Sequence, residues 1–214
     1  MSRDLEIVLH QKGTNIQPMR GFLVIGNKAS TSPFSLKNIP GAGRMDILCR
    51  CISQAIFLSH SIRRSVEVYL LLLGDPNPPR VVKIKSDEVK RMSPDERSVA
   101  GLIRKALKFK AGEKWVETNS GILTSKKNLK RLLEELSNSY KIYYMREDGK
   151  DLRKLTDKME NPLFILGDHL GVKKEDEKLI LQFAKDIVRV SNRSLMAEQC
   201  ITIANYELDR VTKY

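Results

Sequence analysis

The sequence has little of what marks several common protein classes. Cysteine occurs three times in 214 residues, at Cys49, Cys51 and Cys200, with no C-x-x-C pair. That leaves no disulfide framework and no zinc knuckle, and it suits a reducing cytoplasm. Histidine also occurs three times, at His10, His60 and His169, without metal-ligand spacing, so no metal is assigned. No apolar run approaches the roughly 20 residues of a spanning helix. The longest, residues 66–73, contains Glu67 and reads as a strand. The N-terminus lacks the positive-then-apolar pattern of a secretory signal. Neither G-x-G-x-x-G nor G-x-x-x-x-G-K-[ST] is present, which disfavours a standard Rossmann or P-loop nucleotide site.

What is abundant is positive charge. The net charge of +12, with 41% hydrophobic residues, describes a basic protein able to bury a normal core. Such an excess suits a polyanionic partner, and nucleic acid fits better than a membrane surface because no membrane segment accompanies it.

Residues 22–26 form a short apolar run with the look of a buried first strand, reached directly from Met19, Arg20 and Gly21. Before it, residues 5–10 have the makings of an extra strand and residues 11–17 those of a linker. Residues 1–18 are therefore expected to be an extension, or a mis-assigned start with translation beginning at Met19, and residues 19–214 to be one domain. After a polar loop and the turn Ile39-Pro40-Gly41-Ala42-Gly43, a helix is expected over residues 44–60, its apolar face carried by Ile47, Leu48, Cys51, Ile52 and Ala55. A strand over 66–73, the proline-stiffened turn 74–79 and a strand over 80–85 come next.

Ser93, Pro94 and Glu96 read as an N-cap, first-turn proline and capping box. In the helix they open, Val99, Leu102, Ile103, Ala106 and Leu107 share one face, and Arg97, Arg104, Lys105 and Lys108 lie opposite. Such a basic face is commonly only solvated. Here residues 80–114 carry 11 basic and 5 acidic side chains, which makes a phosphate-contacting surface an equal reading. A helix over 125–136, strands over 141–145 and 163–166, a helix over 174–184, a strand over 187–190 and a last helix over 195–211 complete the chain. Strands separated by helices predict an α/β fold with a mostly parallel sheet flanked by helices.

Ligands of such sheets bind where strands end in Gly, Ser or Asn loops. Leu166-Gly167-Asp168-His169 is one such end, and Val190-Ser191-Asn192-Arg193-Ser194-Leu195 is another. Each also has a structural reading: Gly167 as a turn glycine, His169 as a surface residue, residues 191–194 as a cap loop, and Cys200 as a small buried hydrophobe. Arg44 and Asp46, two apart at a helix start, fit either a helix-dipole pairing or a reactive site.

These same stretches carry a family resemblance. Gly41-Ala42-Gly43-Arg44-Met45-Asp46 with Arg50 resembles, one residue shorter between the glycines, the PGxxGRxDxxxR signature of the archaeal tRNA pseudouridine N1-methyltransferase family. Gly74-Asp75-Pro76-Asn77-Pro78-Pro79, Ser93-Pro94-Asp95-Glu96-Arg97, Leu166-Gly167-Asp168-His169, and Cys200-Ile201-Thr202 with Asn205-Tyr206-Glu207-Leu208-Asp209-Arg210 match its other blocks, in order, from Met19 to the end. The resemblance implies a SPOUT-type knotted fold with a C-terminal trefoil knot, a homodimer and a tRNA substrate modified at pseudouridine 54. It also implies S-adenosylmethionine as cofactor, contacted at Met145, Leu166, Gly167, Val190, Ser191, Asn192, Arg193, Ser194, Leu195 and Cys200. For the chemistry it points to Asp46 as proton acceptor, with Asp75 in reserve, and to Arg44 as the charge-balancing group; Arg97, Arg104, Lys105 and Lys108 would face RNA. The related rRNA pseudouridine N1-methyltransferases, and a non-catalytic RNA-binding module, are the alternatives.

Overall fold

The central strand β1 (Arg20–Gly26) is buried along its whole length, because alternate side chains enter two separate cores. Phe22 and Val24 point into one, Leu23 and Ile25 into the other. This computed structural model describes residues 19–212, so the strand and linker expected within residues 1–18 lie outside the described residues.

On one side β1 pairs in parallel with β2 (Val66–Leu72), and on the other with β7 (Pro162–Gly167). Parallel pairing continues from β7 to β6 (Lys141–Asp151) and on to the edge strand β8 (Asp186–Arg189). Beyond β2 the pairing turns antiparallel through β3 (Arg80–Lys85), β5 (Ile122–Ser125) and β4 (Val116–Asn119). The result is one eight-stranded sheet in the order β4-β5-β3-β2-β1-β7-β6-β8. It is the mostly parallel α/β sheet that the pattern predicts, with an antiparallel extension it does not.

Helices α1 (Met45–Ile56), α2 (Glu96–Ala106) and α5 (Ala197–Val211) cover the Phe22 face. Helices α3 (Leu129–Leu136) and α4 (Lys174–Phe183) cover the other. Among the described residues no helix is long and apolar enough to cross a membrane.

Local chemistry moves several expected boundaries. α1 stops at Ile56, four residues early, because Phe57 turns away to bridge Ile62. α2 is capped by Asp95, not Ser93: the Asp95 carboxylate accepts the Ser98 N–H at 2.8 Å. Pro94 lies outside that helix, its carbonyl taken by the Ser53 hydroxyl of α1 at 2.8 Å. Ser125 closes β5, and Asn128 caps α3 by accepting the Arg131 N–H at 2.9 Å. α5 starts at Ala197, two residues after the expected Leu195.

Backbone crowding dictates the start of α1. Gly43 has φ +70°, and a Cβ there would sit 1.7 Å from the Lys28 carbonyl oxygen. No side chain fits. Arg44 comes next in the same left-handed region at φ 63°, a conformation costing roughly 1 kcal/mol for a residue with a Cβ. Gly43→Ala should destabilise the fold by about 2 kcal/mol or more, lowering Tm by roughly 4–8 °C in a thermal melt. An unchanged Tm would show that this turn has slack.

Candidate active site

The C-terminal ends of β7 and β8 and the middle of β6 open into a cleft of about 540 Å³, a size that suits a nucleoside-sized ligand. Its rim is fixed by Asp168. That buried carboxylate accepts the backbone N–H of Asn27 at 2.8 Å, the Asn27 amide at 2.9 Å and the Leu170 N–H at 2.9 Å, tying the exit of β7 to the exit of β1. Gly167 lets the loop fold back on itself: a Cβ there would meet the Gly171 backbone at 2.3 Å.

Met145, Leu166, Val190, Leu195 and Cys200 give the cleft an apolar wall, and Gly167, Ser191, Arg193 and Ser194 line it as well. These nine of the ten expected cofactor contacts come together from β6, the end of β7, the loop after β8 and the first turn of α5. Asn192 is the exception; it is exposed on the same loop but does not line the cleft. The Cys200 thiol is pushed up to about 11 by burial, so it is held as a neutral apolar group and not as a nucleophile. Glu147, also on the wall, is held below the usual carboxylate range, first by a hydrogen bond from Ser194.

One flank of the cleft is a network of alternating charges. Arg44 grips Asp46 in a two-point pair, Nε to Oδ1 at 3.0 Å and Nη2 to Oδ2 at 2.9 Å. Arg50, one turn along α1, donates to Asp46 at 3.0 Å, to Glu96 at 2.9 Å and to Glu198 at 2.8 Å. Asp46 is only 4% exposed. Burial pushes its carboxyl up, but hydrogen bonds from Arg44 and Arg50 outweigh this and hold it below its ordinary value. Its oxygens face guanidinium groups, and it does not line the cleft. Arg44 and Arg50 do.

Glu198 is the residue that sequence reasoning missed. It sits in the first turn of α5, 7% exposed, on the cleft wall. One oxygen accepts from Arg50; the other, Oε2, is buried without a hydrogen-bond partner. An orphaned carboxylate oxygen is costly unless a ligand supplies its donor. The pairing with Arg50 spans 148 positions, so no local signal marks it.

Other expected residues fall elsewhere. Asp75 is exposed and outside the cleft; its backbone carbonyl accepts the Thr31 N–H at 3.0 Å. Arg97, Lys105 and Lys108 are exposed on α2 or just after it, and Arg104 is half-buried; none lines the cleft. Lys105 reaches Asn119 at 2.6 Å.

Comparison with known proteins agrees with this geometry. Residues 19–213 match the SAM-dependent RNA methyltransferase family. The chain is 46% identical over 195 residues to the tRNA (pseudouridine(54)-N(1))-methyltransferase of Methanococcoides burtonii, covering 90% of this chain and 96% of that one. It is 41% identical over 201 residues to the enzyme of the same name from Methanocaldococcus jannaschii, covering 90% and 97%. Among solved structures it resembles Archaeoglobus fulgidus Nep1 bound to S-adenosylhomocysteine, with TM-score 0.63, 14% identity, and coverage of 90% of this chain and 98% of that one. Identity of 41–46% to these relatives over 90% of the chain shows that it belongs to the tRNA (pseudouridine(54)-N(1))-methyltransferase family.

Proposed function

We propose that this protein methylates N1 of pseudouridine 54 in tRNA, using S-adenosylmethionine. The observation that carries the reading is the pairing of an apolar, glycine-cradled cleft with a charged flank in which Arg44 and Arg50 line the wall beside Glu198, whose Oε2 is buried without a hydrogen-bond partner. The residues fit the cofactor. Met145, Leu166, Val190 and Leu195 offer apolar surface to its base, the Gly167 backbone allows close approach, and residues 191–194 present polar groups. The cofactor supplies an electrophilic methyl on a positive sulfur.

The chain's own residues prepare the acceptor. The target base leaves its stack to enter the cleft, as bases do in enzymes that modify them. Glu198 would take the N1 proton, leaving N1 nucleophilic toward the methyl group that a cofactor held by Met145, Leu166, Gly167 and the 190–195 loop would supply. Arg44, in the cleft, balances negative charge developing on the adjacent carbonyl. Asp46 is the positioning residue for Arg44: both its oxygens are engaged, which makes it a poor proton acceptor. Asp75 has no part in this scheme. The cytoplasm, where thiols stay reduced, is its place of action.

We also propose a trefoil knot and a homodimer. Met145 and Lys150 both pair with Val188, so residues 146–149 bulge out of β6 opposite β8, the strand that leads into α5, an irregularity that supports threading. Met196, Tyr206 and Val211, 57%, 60% and 36% exposed on or beside α5, support a partner there. The substrate reading is tested by offering labelled S-adenosylmethionine with full-length tRNA and with rRNA fragments containing pseudouridine. Label in tRNA alone is expected. Label in rRNA alone would favour the rRNA-modifying relatives, and no saturable cofactor binding would favour an RNA-binding module.

A further inference from the structure

The loop joining α2 to β4, residues 107–115, carries a chemistry that the cleft does not use. It reads Leu107-Lys108-Phe109-Lys110-Ala111-Gly112-Glu113-Lys114-Trp115, basic residues interleaved with aromatics. Phe109 is 40% exposed, and Lys108, Lys110 and Lys114 around it are exposed without an ion-pair partner among the described residues. A single exposed apolar side chain needs no explanation by itself, but this ring stands among exposed lysines on a loop whose backbone is fixed. This loop is not slack. Arg80, itself 7% exposed, donates to the backbone carbonyls of Ala106 and Phe109 while its Nε donates to Thr124 at 2.8 Å. The Lys126 N–H donates to the Gly112 carbonyl at 2.7 Å, and Lys127 lies over the Trp115 ring at 4.5 Å. A buried guanidinium and the segment leading into α3 thus hold the loop with Phe109 outward.

Strand register places this loop relative to the cleft. Gly167 pairs with Ile25, Gly26 with Leu72, Leu72 with Arg80, and Val81 with Ser125. The cleft and the loop therefore share one rim of the sheet, four strand spacings apart, or about 19 Å at ~4.8 Å each. The first turn of α1, with Arg44, and the last turn of α2 lie on the same face. An RNA strand whose base enters the cleft past Arg44 can run along this rim to Phe109.

We propose that the α2–β4 loop is a second RNA-contact site, where Phe109 stacks on an unpaired base and Lys108, Lys110, Lys114 and Lys126 hold flanking phosphates. Aromatic stacking beside lysines is how proteins grip single-stranded segments without reading their sequence. The proposal rests on the RNA-methyltransferase reading for its ligand class, but not on the assignment of the methylated atom.

The test measures binding of the full-length protein to fluorescent tRNA by anisotropy, with methyl transfer followed in parallel. Phe109→Ala should weaken tRNA binding about tenfold, and Phe109→Trp should restore it. The kcat at saturating tRNA, the affinity for S-adenosylmethionine and Tm should stay unchanged. Lys108→Ala, Lys110→Ala and Lys114→Ala combined should lower the salt slope of binding by about 2 to 3. Unchanged tRNA affinity in Phe109→Ala, or no recovery in Phe109→Trp, overturns the site. Dissociation of a dimer by Phe109→Ala in sedimentation would also overturn it, assigning the ring to a protein contact. Failure of the wild type to transfer methyl counts against the proposed reaction alone, since binding is read separately.

Discussion

Glu198→Gln is expected to lower kcat by between about 100-fold and 10,000-fold, the usual contribution of a positioned proton acceptor. Glutamine keeps the shape and still accepts the Arg50 hydrogen bond, made at 2.8 Å in the parent. Tm and cofactor affinity should therefore hold. The variant also makes a sharper prediction. With no acceptor at the wall, reaction must await spontaneous ionisation of the weakly acidic N1–H, so the residual rate should rise about tenfold per pH unit near neutrality. A rate within a few-fold of wild type, or a flat pH profile, would remove Glu198 from the proton transfer.

The second large effect separates the two roles open to Asp46. Arg44→Ala should cost about 100- to 1,000-fold in kcat, as loss of a charge-stabilising donor does elsewhere. Asp46→Asn should cost nearly as much, because Asp46 is bonded to Arg44 at 3.0 and 2.9 Å and orients it. If Asp46 acts only through Arg44, the double variant loses little more than Arg44→Ala alone. If Asp46 were itself the proton acceptor, the losses would multiply. Acid stability gives an independent readout. The Asp46 pKa is lower folded than unfolded, so its contribution is present above the unfolded carboxylate range and is lost as pH falls through the folded value. Asp46→Asn should therefore be less stable than wild type at neutral pH, with the gap closing in acid.

How much of the fold is legible in the sequence depends on how local each cause is. Strands β1, β2 and β7 read clearly because they are short, apolar and bounded by turns. The glycine loops at the sheet ends read clearly too, and nine of ten expected cofactor positions meet at one cleft. The α2 cap is ambiguous in sequence because Ser93 and Asp95 both offer oxygens to a helix start. Docking of the Pro94 carbonyl on Ser53, and the bond from Ser98 to Asp95, settle the choice in favour of Asp95. The β4–β5 hairpin gives little signal, since Val116-Glu117-Thr118-Asn119 alternates weakly and its Ser120-Gly121 turn is brief. The helix expected from residue 125 masks the end of β5.

The site divides the same way. A signature of Arg44, Asp46 and Arg50 is visible, and i,i+4 spacing places Arg50 beside Asp46 on one helix face. That both guanidiniums occupy the carboxylate is not visible, because it depends on the left-handed Arg44 and on burial. Glu198 is hidden for a stronger reason: only the packing of α5 on α1 brings it to Arg50.

The most direct test of the central claim is methyl transfer from labelled S-adenosylmethionine to two transcripts of one tRNA, carrying pseudouridine or uridine at position 54. Nucleoside mass spectrometry then locates the methyl group. Product is expected from the pseudouridine transcript alone, with the added mass on the base. Equal methylation of both transcripts, or mass on the ribose, would contradict the assigned reaction.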